Sequence, residues 1–367
     1  MNMTAKLACT ASLVAMLSAS FASAQTMEEL VAAANAEGAL TTIALPHDWC
    51  GYGAVIAGFK AKYPGITVNE LNPDAGSADE LEAIRANKDN KGPQAPDVID
   101  VGLAFGPQAK EEGLIQPYKV STWATIPDSA KDAEGYWYGD YYGVMALGVN
   151  TDLVKNVPTD WSDLTKPEYA NAFALSGDPR SGNQSMMTLM SIGMAAGKEP
   201  GADSAKAGLD FVAALNKSGN FVPVAGKTAT IAQGTTPIVA AWDYNLLAWR
   251  DSLNGNPPMQ VIVPKSGTVA GVYVQAISAY APHPNAAKLW MEYLYSDEGQ
   301  LGWLKGYCHP IRFPDLVARN VIPKEMMDAL PPAEAYNAAV FPTLEQQSAH
   351  REVVTTGWDT VVGLKVE

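Results

Sequence analysis

A two-lobed α/β protein is predicted, on three observations. Strand-like apolar runs alternate with segments of helical period from Met27 to Tyr295. Runs such as Asp97–Val101 (DVIDV) are short and continuously apolar around their carboxylates, like strands a parallel sheet buries on both faces. The 367 residues are long for a single core and comfortable for two.

In order, Met27, Leu30, Val31 and Ala34 recur at helical spacing and predict a helix over 27–37. Ala39–Leu45 reads as the first strand and opens into the polar, aromatic loop Pro46–Tyr52. A helix over 53–63 stops at Pro64-Gly65, a strand follows over 66–71, and a helix over 78–87 precedes the strand Asp97–Val101. Gly106–Gly113 is a short helix. Because ligands sit beyond the carboxyl ends of such strands, three places in this half draw attention: Pro46–Tyr52, Gly102–Phe105 and the aromatic run Tyr136–Tyr142. Tyr141–Asn150 is extended and apolar and reads as a crossing between lobes. Phe173–Leu175, Phe221–Val224, Pro237–Ala241, Gln260–Pro264 and Gly271–Ile277 are the remaining strand candidates. Helices are expected over 202–215, 228–232, from Trp242 through Trp249 and over 285–295. Ser296–Gly299 is expected to cap the last of these.

The stretch Asn171–Met187 (NAFALSGDPRSGNQSMM) is the centre of the second half. Asp178 reads as a helix N-cap, with Pro179 at the first helical position. A strand opening through Gly, Ser and Asn into a helix leaves forward-pointing N–H groups that suit a carboxylate, phosphate or phosphonate. Arg180 adds a fork of donors; alternatively it pairs with a protein carboxylate.

Composition excludes much. Hydrophobic residues make up 47% and charged residues 17%, so the chain is globular. A net charge of −14 argues against nucleic acid. Lys6, the apolar run Leu7–Phe21 and Ala22-Ser23-Ala24 form a signal peptide over 1–24, cleaved before Gln25 for export to the periplasm. Two cysteines then remain, Cys50 and Cys308: in an oxidising compartment they invite a disulfide, and otherwise they are two buried thiols. No H-E-x-x-H, paired C-x-x-C or G-x-S-x-G is present, and the four histidines are scattered. Gly226-Lys227-Thr228 ends like a phosphate loop, but Phe221 occupies the position of its first glycine. His283, between two prolines, reads as a surface turn. The expectation is a non-enzyme without cofactor.

The segment WSDLTKPEYANAFALSGDPRSGN (161–183) resembles one found in periplasmic solute-binding proteins of ABC importers, type II branch, which includes spermidine/putrescine, ferric-iron, aminoethylphosphonate and GABA binders. Pro282–Gln300 resembles another segment of that family, and Tyr142–Val144 with Val149–Leu153 resembles its first crossing between lobes. The resemblance implies two lobes, each a mostly parallel sheet flanked by helices, closing on a ligand by hinge motion and delivering it to an inner-membrane permease. Lobe 1 is expected over 25–147 and 268–305, and lobe 2 over 148–267 and 306–367, in a monomer. In polyamine members the first-strand loop is aromatic and acidic, as Asp48 and Trp49 are here, and Trp242-Asp243 is similar to their Trp–Asp pair. Iron members place adjacent tyrosines there; Asp243-Tyr244 breaks that pair, leaving ferric ion the alternative. Asp48, Trp49, Tyr142, Trp242, Asp243, Tyr244 and Tyr273 are expected to surround an amine by charge and cation–π attraction. Arg180, Ser181, Gly182 and Asn183 are expected to form an anion pole. The expected ligand is an ω-amino acid, an aminophosphonate or a polyamine. A secreted enzyme on the same scaffold is the further alternative.

Overall fold

The computed structural model describes residues 25–329 and 338–367; the expected signal peptide lies outside them, as does part of the expected second lobe. Thr26 and Glu29 exchange capping bonds to start α1 (Met27–Glu37), which Gly38 ends at φ 71°. There follow β1 (Ala39–Ile43), α2 (Tyr52–Lys62), β2 (Thr67–Leu71), α3 (Ser77–Ala86), β3 (Val98–Gly102), α4 (Phe105–Glu111), β4 (Ile115–Gln116) and the long β5 (Tyr138–Asn150). The second half contains β6 (Phe173–Leu175), α5 (Asn183–Ala195), α6 (Ala202–Ser218), α7 (Thr228–Ala232), β7 (Ile238–Trp242), α8 (Asp243–Leu253) and β8 (Met259–Ile262). The chain continues as β9 (Ala270–Ser278), α9 (Pro284–Leu294), α10 (Asp297–Lys305), β10 (His309–Pro310), α11 (Phe313–Ala318), α12 (Lys324–Ala329) and α13 (Leu344–Val361).

Strand β5 joins the halves. Its first part pairs with β9 and β10; from Met145 onward it pairs with β7 and β8. The 13-residue strand is almost wholly buried, as the apolar reading of Tyr141–Asn150 requires. Strand directions depart from expectation. Among the described strands only β1–β2 and β6–β7 run parallel, whereas β3, β4 and β5 all pair antiparallel with β9. The physical reason is that β5 and β9 carry the chain between halves and so run against the strands they join.

Four local readings are corrected. Asp178 does not cap a helix: its carbonyl accepts from the Ser181 and Gly182 N–H groups in a turn, and α5 starts at Asn183 with Gly182 as cap. Phe221 makes one isolated bridge to Phe173, and with Pro223 lacking a donor no strand forms there. Ser296 caps α10 through the Gly299 N–H instead of closing α9. His283 is no free surface turn: its Nδ1 lies 2.9 Å from Asp97 Oδ2, and its backbone N–H donates to Asp97 Oδ1.

Candidate functional site

A cavity of about 420 Å³ lies where the loop after β1 and the N-termini of α3, α5 and α7 converge with α8 and β9. Each wall follows from local sequence. After β1 the chain turns through Ala44 at φ 58° and presents Pro46, Asp48 and Trp49. Trp49 sits edge-on to Tyr273 and Tyr244, at centroid distances of 5.3 and 5.7 Å, and its Nε1–H donates to Tyr141 Oη at 2.7 Å. The next residue is anchored: Cys50 and Cys308 are disulfide-bonded, with Cα atoms 5.4 Å apart.

At α5, Gly182 supplies no side-chain cap, and the first helical bond is Met186 N–H to Gly182 O, so the N–H groups of Asn183, Gln184 and Ser185 lead the helix without acceptors one turn back. Ser176, Ser181 and Ser185 add hydroxyls to the same wall. At α3, the Asp79 carboxylate caps the Gly76 N–H and Ser77 Oγ accepts from the Gly102 N–H. At α7, Lys227 and Thr228 face the cavity, and Lys227 Nζ lies 3.3 Å from Asp74. The α3 and α5 ends touch: the Ala78 N–H points at Ser181 O, 3.5 Å away.

The cavity floor is carboxylic. Asp100 Oδ2 accepts from Tyr52 Oη at 2.8 Å and Tyr141 Oη at 2.6 Å, and its backbone N–H donates to Glu80. Burial pushes the Asp100 carboxyl up to about 7, against the hydrogen bonds from Tyr141 and Tyr52. Burial likewise raises Glu80 and Asp140 well above the usual carboxylate range, the neighbouring Asp100 charge adding to both. Gln275 Nε2 bridges Tyr52 Oη and Asp140 Oδ2.

Of the expected residues, Asp48, Trp49, Ser181, Gly182, Asn183 and Tyr273 line this cavity; Tyr142, Arg180, Trp242, Asp243 and Tyr244 do not. Arg180 is consumed by Asp178 and by Asp359 on α13, the latter at 2.6 Å. Asp243 Oδ1 accepts from the Val144 N–H at 2.9 Å and clamps the crossing strand. Trp242 and Tyr244, fully buried, stack 6.3 Å apart at 19°, because central strand β7 passes into α8 beneath the cavity. Tyr142 stacks on His309 at 5.1 Å. Glu80, Asp100, Gln184, Lys227 and Asn245 were missed. Asp100 had a signal, a carboxylate between two buried aliphatics in a strand, and Lys227 sat in the truncated phosphate-loop pattern. Among the described residues no group of three or more His, Cys, Asp and Glu side chains converges to hold a metal ion, and no helix is long and apolar enough to cross a membrane.

Halves joined by antiparallel crossing strands, with a polar cavity at converging helix N-termini, define a two-lobe binding protein. Solved structures agree: the periplasmic binding protein P5PA superposes with a TM-score of 0.66 at 18% identity, over 89% of this chain and 99% of that one. AfuA from Actinobacillus pleuropneumoniae, solved with fructose-6-phosphate bound, gives 0.66 at 19% identity, over 89% and 98%. The sequence profile of the bacterial extracellular solute-binding proteins matches residues 94–337, and the chain belongs to that family. An uncharacterized protein of Haemophilus influenzae is 30% identical over 243 residues, 63% of this chain and 66% of that protein. The spermidine/putrescine-binding periplasmic protein of Salmonella typhimurium is 26% identical over 247 residues, 63% and 67%. The matched segment thus spans about two thirds of the length of these curated relatives.

Proposed function

We propose that this chain is the solute-capturing component of an ABC importer, exported to the periplasm by residues 1–24 and delivering a small zwitterion to an inner-membrane permease without chemical turnover. The two lobes are 25–147 with 268–319, and 148–267 with α13, closing about β5; residues 306–319, expected in the second lobe, sit with the first because Cys308 is bridged to Cys50, β10 pairs with the first part of β5 and Arg312 donates to Tyr295 O. The observation that carries the ligand class is the lining itself. The uncapped N-terminus of α5, with its serines and Lys227, favours an anionic group. Exposed Asp48 and half-buried Trp49, next to Tyr273, favour an ammonium through charge and cation–π attraction. With Arg180 neutralised by two carboxylates, the anion is held by backbone dipoles and hydroxyls.

A polyamine is the second reading: carboxylates outnumber Lys227 in the lining, and a relative is named for spermidine and putrescine. Ferric ion has less support, since the Tyr244 ring is buried beside Trp242 and Trp49 and, among the described residues, no three His, Cys, Asp or Glu side chains converge to hold a metal ion. Calorimetric titration with 4-aminobutanoate, 2-aminoethylphosphonate, putrescine and ferric citrate tests the proposal. Zwitterions are expected to bind tightest, and Trp49→Ala to weaken them about tenfold. Binding of putrescine or iron with silence from both zwitterions overturns it.

A further inference from the structure

Helix α13 belongs with the second lobe. It packs along α6, and the ring nitrogens of its His350 lie 3.1 Å from Met186 O on α5 and 3.2 Å from Gly201 O. The next residue, Arg351, turns the other way and reaches α4 in the first lobe. Its guanidinium carbon lies 4.0 Å from the centre of the Phe105 ring, and its Nη1 donates to Gln108 Oε1. The Gln108 amide is oriented by both of its neighbours: Nε2 donates to the Glu112 carboxylate at 2.8 Å, which leaves Oε1 for Arg351. Glu112 is itself taken by Arg85, and among the described residues no carboxylate comes within ion-pair distance of Arg351.

Such a contact suits two surfaces that meet and part. A guanidinium is weakly hydrated for a cation and stacks its plane on aromatic faces, so docking it strips less water than docking an ammonium would. Its attraction to the ring grows as water leaves. Phe105 is a fixed platform, with no exposed surface, and Arg351 is half-buried over it. Other polar contacts between the lobes are wetter. Lys227 and Asp74 lie 3.3 Å apart with side chains 54% and 80% exposed, where an ion pair is worth little. Tyr307 donates to Asp251 from an exposed position. Arg351 is absent from the cavity lining, so it touches no solute held there.

We infer that Arg351, seated on Phe105 and Gln108, is a clasp that holds the two lobes closed, a positioning residue that tunes the affinity for every solute without touching any. A solute that binds between closed lobes has its affinity scaled by the fraction of molecules that are closed. Loss of the clasp lowers that fraction by one factor, whatever the solute. The inference rests on the two-lobe reading and is independent of which solute the cavity takes.

Small-angle X-ray scattering of the unliganded mature protein tests the clasp with no solute present. Wild type is expected to scatter as a closed molecule. Arg351→Met keeps the apolar stem and removes the charged plane, and it is expected to have a larger radius of gyration. Arg351→Lys should lie between the two, because an ammonium keeps the charge without the stacking plane. Gln108→Ala removes the hydrogen bond from the other lobe and should open the protein in the same sense; it decides the matter if melting curves show Arg351→Met unfolded. Calorimetry and stopped-flow binding follow with 4-aminobutanoate, 2-aminoethylphosphonate, putrescine and fructose 6-phosphate. Each solute that binds wild type is expected to bind Arg351→Met about 3- to 30-fold more weakly, the range for losing a cation–π contact, by a common factor and chiefly through faster release. An equal radius of gyration in wild type and the folded variants overturns the clasp, and so do clearly unequal losses among the solutes that bind. Silence from all four solutes removes the ligand reading alone, and scattering still decides the clasp.

Discussion

Replacing both Cys50 and Cys308 by alanine removes a cross-link between residues 258 positions apart, buried at both ends. The bridge stabilises chiefly by restricting the unfolded chain, and the loop-closure relation gives about 5.6 kcal/mol for so long a loop, just above the usual range of about 2–5 for removing a native disulfide, which is the range used here. An unfolding entropy of about 2.1 cal/mol/K per residue over roughly 340 mature residues amounts to about 0.7 kcal/mol/K. The melting temperature should therefore fall by about 3–7 °C. Scanning calorimetry of oxidised wild type, wild type with a thiol reductant and the double variant measures it; the last two should agree. There is a functional consequence too. Cys50 directly follows Trp49, and Cys50, Gly51 and Gly306 pack so closely that a Cβ on Gly306 would collide with the Cys50–Gly51 backbone. Loss of the bridge should loosen the Trp49 wall and weaken binding of the zwitterions together with the loss of stability. A melting point unchanged within about 1 °C would refute the reasoning, since the relation allows no such cancellation unless the unfolded chain is already held together here.

Other perturbations follow from the same geometry. Asp100, pushed up to about 7 by burial, is faced by Tyr52 from α2, Glu80 from α3, Asp140 and Tyr141 from β5 and Gln275 from β9. Asp100 and Asp140 titrate as a pair that loses a proton as the pH rises through about 7, so affinity for 4-aminobutanoate, whose own charges are constant there, should rise from pH 6 to 8 by calorimetry and lose that rise in Asp100→Asn. His350 is held neutral down to about 4, by burial first and against carbonyl contacts with Gly201 and Met186. The unfolded chain takes up this proton below about 6.5 while the folded one does not, so the stability present above 6.5 is lost on acidification, by about 2 kcal/mol at pH 5; urea midpoints at pH 7 and 5 should converge in His350→Gln relative to wild type. A Cβ on Gly102 would sit 2.5 Å from Asn183 Nδ2, between the end of β3 and the start of α5. Gly102→Ala should cost about 1–3 kcal/mol of binding, roughly 5- to 150-fold in Kd, with a smaller change in melting temperature, and an unchanged Kd would show that the two ends do not need this approach.

Much of the architecture was legible in the chain because it rests on local chemistry. The helical spacing of Met27, Leu30, Val31 and Ala34 marks α1; the apolar run of β5 announces a buried crossing strand; the residues around Ser181–Asn183 open a strand into a helix whose N–H groups face the cavity. The Cys50–Cys308 pairing was one of two readings that sequence left open, since a separation of 258 residues says nothing about distance in space. The site was legible in part. Asp48 and Trp49 lie on a loop whose direction follows from the strand before it, but Arg180 and Asp243 bear charges that a sequence cannot tell from ligand-seeking ones. Only the tertiary structure brings Asp359 to Arg180 and the Val144 N–H to Asp243, and so removes both from the cavity. Asn245 is a similar case. Its type and place in Trp242-Asp-Tyr-Asn are plain, yet its amide is committed to Gln184, 61 residues earlier, which also accepts the Trp242 backbone N–H. Helices, strands and caps are fixed by neighbours within a few positions, where the chain's own geometry limits the choices; the pairing of polar atoms is fixed by whichever distant groups remain unsatisfied once the core has closed.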